Sequence, residues 1–83
     1  MKTARGNQVT RDELEKDLRS LPDVREVSVD GNGTLLATVV SGSFAGQDEA
    51  ARQEAVWKLL LSRHEPHQLQ NVEFVFTNAP GEA

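Results

Sequence analysis

The amino-acid sequence predicts an α+β fold of two layers, in the order helix, strand, strand, helix, strand, with both helices on one face of a three-stranded mixed sheet. Three observations carry that expectation. Leu14, Leu18 and Leu21 recur at helical spacing. Two apolar runs then flank the turn-forming tetrad Asp30-Gly31-Asn32-Gly33, which reads as a hairpin. A second apolar helix separates that hairpin from a final aromatic strand, and a helical crossover of this kind sets the last strand parallel to its neighbour.

The polar stretch 1–9 carries no apolar pattern and reads as a flexible lead, with a single domain over residues 10–83. Thr10 followed by Glu13 is a capping box, in which hydroxyl and carboxylate each satisfy a backbone amide at a helix start. Along the helix that follows, Asp12, Glu13, Glu15, Lys16, Asp17 and Arg19 are expected on the solvated faces, and Pro22 stops it.

From Val24 to Val29 the period drops to two, with Val27 and Val29 on one side and Glu26 and Ser28 on the other. The return strand, Thr34 to Ser41, is apolar throughout Leu35 to Val40 except for Thr38, which points to a central strand covered on both faces for part of its length. Gly42 and Gly46 bracket the next turn, where Phe44 reads either as an anchor beneath the following helix or as a contact residue.

Asp48 is the expected N-cap of the second helix, which runs to about Arg63. Ala55, Val56, Trp57, Leu59, Leu60 and Leu61 wrap most of its circumference, more than one sheet face requires, so burial on two sides is expected, against the first helix or another chain. Trp57 suits the core or, beside Leu61, an interface, and both readings stand at this point. Asn71 to Thr77 is the third strand, with Val72, Phe74 and Phe76 alternating against Glu73 and Val75.

Composition narrows the chemistry. The 83 residues contain no cysteine, which removes thiol nucleophiles, thiolate ligands and disulfides. A net charge of −4, with Lys and Arg scattered among acids, argues against nucleic acid as the main ligand. Residues 1–10 lack the apolar run of an export signal and no segment is long enough to span a bilayer, so the expected location is the cytoplasm. Ser41, Ser43 and Ser62 have no evident base partner, and Gly42 to Gly46 lacks the Lys of a phosphate-binding loop, so no catalytic residues are assigned and an enzyme is not expected. His64 and His67 form a weak H-x-x-H metal candidate that falls short of the four ligands of a structural zinc site. The simpler expectation places His64 at a helix C-terminus, where its replacement changes stability little.

Phe44-Ala45-Gly46 stands after the second strand, Arg52 and Val56 follow in the next helix, and the chain exits through Thr77-Asn78-Ala79-Pro80-Gly81-Glu82. With the element order, which covers nearly the whole chain from Thr10 to Glu82, these residues resemble the BolA-like family, whose broader fold neighbourhood includes KH-like domains. The resemblance implies a small non-catalytic adaptor or regulator that contacts a monothiol glutaredoxin-like protein or a second copy of itself, with Phe44, Arg52, Gln53, Trp57 and Leu61 as the partner-binding residues. The alternative that it implies is a KH-like nucleic-acid-binding regulator. Members of the family commonly carry a His directly after the Arg, and another opening the last strand that serves as ligand to an iron–sulfur cluster shared with a monothiol glutaredoxin. Here those places hold Gln53 and either Asn71 or Val72, and the loop between the hairpin strands is short. The expectation is therefore no cofactor, with an iron–sulfur cluster implied by resemblance alone.

Overall fold

The computed structural model describes residues 8–82. Helix α1, Arg11–Arg19, starts from the expected capping box: the Glu13 amide donates to the Thr10 hydroxyl at 3.1 Å and the Thr10 amide to the Glu13 carboxylate at 3.0 Å. Leu14, Leu18 and Leu21 are buried. Asp17, expected on a solvated face, is buried as well, because it lies between Leu14 and Leu18 on the inward stripe.

Strands β1 (Val24–Asp30), β2 (Leu35–Ser41) and β3 (Val72–Asn78) form one sheet in the order β1-β2-β3, antiparallel between β1 and β2 and parallel between β2 and β3. The hairpin turn needs glycine at position 31, where φ is +111° and a side chain would collide with the Thr34 carbonyl. At the far end of β2 the buried Ser41 hydroxyl donates to the Pro22 carbonyl at 2.6 Å and receives the Ser43 amide at 3.1 Å. A 3-10 turn at Gly42–Phe44 then leads to α2, Glu49–Arg63, whose N-cap is Asp48 as expected. A second 3-10 turn, Pro66–Leu69, returns the chain to β3.

One face of the sheet carries the core. Val27, Val29, Leu35, Ala37, Val39 and Val75 lie in one buried cluster with Leu14 and Leu18 of α1, Val56 and Leu60 of α2, and Phe44. The opposite face is built from the remaining positions in three cross-strand rows: Asp30, Leu36 and Phe74; Ser28, Thr38 and Phe76; Glu26, Val40 and Asn78.

Three expectations change here. In β3 the phase is inverted beyond its first residue. The register passes from Leu35 opposite Val72 to Leu36 opposite Phe74, so Glu73 is an extra residue. Such a bulge breaks the alternation, so Val72 and Val75 are buried while Phe74 and Phe76 face outward. The central strand is covered on one face alone, and Leu36 is 39% exposed on the other. Helix α2 fully buries only the stripe Arg52, Val56 and Leu60, with Trp57 and Leu59 half-buried against the core on either side of it and Leu61 exposed, so the wider burial expected is met only in part within the chain. The lead read over 1–9 lies outside the described residues as far as position 7. Val9, at its end, is buried, donating its amide to the Gln68 carbonyl and accepting the Asn71 side-chain amide.

Candidate partner-binding surface

The Phe44 turn and the start of α2 are built around one cation. Phe44 is buried under α2, and the Arg52 guanidinium stands 5.9 Å from its ring centroid. The same guanidinium donates to the Gln47 carbonyl at 2.9 Å and the Thr77 carbonyl at 3.4 Å. It closes a two-pronged pair with Glu82 at 2.7 and 2.9 Å. Glu82 also receives the Ala79 amide at 2.8 Å. These donors, the Arg52 guanidinium first, hold the Glu82 carboxyl down at about 2. Phe44 and Arg52 thus fasten the turn and the end of β3 to α2, and neither offers much surface to a partner.

Gln53 bridges three groups. Its amide donates to Glu49 at 2.8 Å and to the Val75 carbonyl at 2.9 Å, while its oxygen accepts the Trp57 indole N–H at 3.1 Å. Trp57 is half-buried against the core with its polar edge satisfied. One turn on, Leu61 is 51% exposed, so Trp57 and Leu61, four residues apart, lie together on the outer flank of α2. Of the five residues expected to meet a partner, these two place apolar surface where a partner can reach it.

His64 departs from expectation. Its backbone caps α2 by donating to the Leu60 carbonyl at 2.9 Å, but its ring reaches across to α1 and meets the Asp17 carboxylate at 2.6 Å. Arg63 takes the other Asp17 oxygen at 3.1 Å. This partly buried clamp between the helices is the partnership that the sequence concealed, since the two ends lie 46 and 47 residues apart. His67 is exposed in the 3-10 turn and does not join His64.

No protein-family model and no curated protein matches the chain. Among solved structures, a bolA protein homologue from Coxiella burnetii matches with a TM-score of 0.61 at 23% identity, over 87% of this chain and 90% of that one. The chain has the BolA-like fold.

The resemblance implied a cluster ligand at the corner where β3 begins. Iron–sulfur clusters are held by thiolates or imidazoles. Asn71 stands there instead, giving its side-chain N–H to the Val9 carbonyl at 2.9 Å, and its backbone carbonyl receives the Leu35 amide at 2.8 Å. Its side-chain oxygen is the one buried side-chain polar atom without a hydrogen-bond partner among the described residues. Gln53 is occupied as described, and His64 is tied to Asp17. Among the described residues no three His, Cys, Asp or Glu side chains come close enough to hold a metal ion. The donor set of the described residues does not fit an iron–sulfur cluster.

An open cleft of about 620 Å³ lies beside this corner, lined in part by Arg11, Glu15, Asn32 and Asn71. Its lining holds the carboxylates of Asp12 and Glu15, and its Thr10 hydroxyl serves the α1 cap. No helix among the described residues is long and apolar enough to cross a membrane.

Proposed function

We propose that the chain is a divergent member of the BolA-like family that acts as a cytoplasmic, non-catalytic adaptor, holding a protein partner against the outer flank of α2 without an iron–sulfur cluster. The observation that carries this reading is the pairing of Trp57 with Leu61. A tryptophan held in one orientation by Gln53, next to a leucine left half in solvent, has the composition of an interface anchor. The uncommitted apolar surface of α2 supports it further, since that helix is more apolar than its buried stripe requires. The partner class that fits the fold's resemblance is a monothiol glutaredoxin-like protein.

The test is to mix the protein with a monothiol glutaredoxin under iron-replete, oxygen-free conditions, then read size-exclusion elution and the visible absorption spectrum. A colourless complex, weakened about tenfold or more by Leu61→Glu, is the expected result. A coloured complex would restore cluster sharing with a different ligand set. The absence of any complex would exclude the glutaredoxin-like partner.

A further inference from the structure

The sheet face turned away from the helices combines three properties. It is apolar: Leu36, Phe74 and Phe76 are 39%, 38% and 48% exposed, and the two rings meet edge to face at 4.8 Å between centroids. It is acidic along one side, because Glu26 and Asp30 of β1 lie in the same rows as Val40 and Leu36. Those three rows contain no Lys or Arg. Aromatic surface beside a single-sign acidic margin is complementary to a segment carrying apolar residues and positive charge together.

From this we infer that the open face is a second docking site, whose occupant is an amphipathic helix of another protein bearing Lys or Arg along one flank. Two features favour a helix on the face over a strand added at an edge. Both edge strands already give backbone carbonyls to side chains from the helical layer: Val75 and Thr77 of β3 to Gln53 and Arg52, and Val29 of β1 to Arg11 at 3.3 Å. A helix laid across the sheet adds a third layer and leaves those bonds intact. The rows from Leu36 to Val40 span roughly 13 Å, which matches two to three helical turns.

A second copy of this chain suits the face less well. Each copy brings a net charge of −4. The three exposed side chains also offer only roughly 250 Å², against the ~800 Å² per partner of a standard stable interface. Exposed aromatics on a sheet also stack nucleic-acid bases, but the acidic rows repel the phosphates that such binding needs.

The probe is a fluorescein-labelled 14-residue helical peptide with Leu on one face and Lys along one flank, followed by anisotropy. Its twin carries Glu for Lys. The Lys peptide should bind saturably and the Glu peptide should not. Affinity should fall about tenfold with Phe76→Ser, and the Glu26→Lys, Asp30→Lys double variant should reverse the preference between the peptides. Leu61→Glu, on the other flank of the molecule, should leave binding unchanged, which separates this site from the adaptor surface on α2. All three variants alter exposed positions, and circular dichroism confirms their folding. Absence of binding, or binding indifferent to Phe76 and to the acidic pair, overturns the inference. Phe76-dependent binding of single-stranded oligonucleotide in place of the peptide overturns it in favour of nucleic acid. Phe76-dependent self-association overturns it in favour of a dimer.

Discussion

On one face of the sheet Val27, Val29, Leu35, Ala37, Val39 and Val75 are buried beneath two helices, while on the other Leu36, Phe74 and Phe76 stand more than a third exposed. The same three strands supply both sets by alternation, yet the larger aromatic side chains lie on the uncovered side. Hydrophobicity alone would have placed the phenylalanines inward. What decides the matter is the extra residue at Glu73, which shifts the phase of β3 and hands the interior to Val75 and Thr77.

The comparison can be broken by truncating one residue on each side. Leu60, wholly buried where α2 meets the core, should cost about 2–5 kcal/mol as Leu60→Ala, since a cavity is left that neighbours fill only in part. Phe76→Ala removes a larger side chain and should cost about 1 kcal/mol or less, because much of the ring is already in water. Chemical denaturation measures both. Equal losses would mean that the open face is covered in solution.

An effect between these two sharpens the account of how the covered face is kept. The helical layer is tied at the end of α2 by Asp17 with Arg63 and His64. His64→Ala should lower stability by about 1–3 kcal/mol, because the nearly buried Asp17 loses its closest partner. That is the opposite of the small change expected for a histidine serving only the helix terminus. A loss below 0.5 kcal/mol, in the usual range of surface changes, would reduce the clamp to an ordinary surface contact.

A further effect is read through pH. The carboxyl of Glu82 is depressed from 4.5 to about 2 in the folded chain, so its contribution is complete above about pH 4.5 and is lost as pH falls toward 2. Glu82→Gln should lower the thermal midpoint at neutral pH, and the gap from the parent should close as the pH falls through that window. A gap of constant size would show that the charge on Glu82 is not what binds the end of β3 to Arg52.

The extent to which these features were legible follows from their range along the chain. The Thr10 and Glu13 box, the Gly31 turn and the Asp48 cap are agreements between residues three or four apart, and local chemistry specifies them. The element order followed from the periodicities. The phase of β3 was not legible, because a bulge is set by pairing with a strand more than thirty residues earlier. Asp17 read as a surface acid because its partners, Arg63 and His64, belong to the other helix. For the candidate site, Trp57 and Leu61 could be picked out as surplus apolar surface on α2. Phe44 and Arg52 could be identified as a unit, but the sequence could not say that their side chains would be spent inside the molecule, since Glu82 lies thirty residues from Arg52.

The side chains that reach the outer strands have a bearing on how this protein behaves when crowded. Fibrillar growth proceeds by adding strands to backbone groups left unpaired at a sheet margin, and apolar strands such as β3 are hazardous when that margin is free. Here Gln53 and Arg52 hold carbonyls along β3, and Arg11 holds one on β1. An aromatic surface can therefore be displayed with less exposure of the template that would let copies polymerise through it.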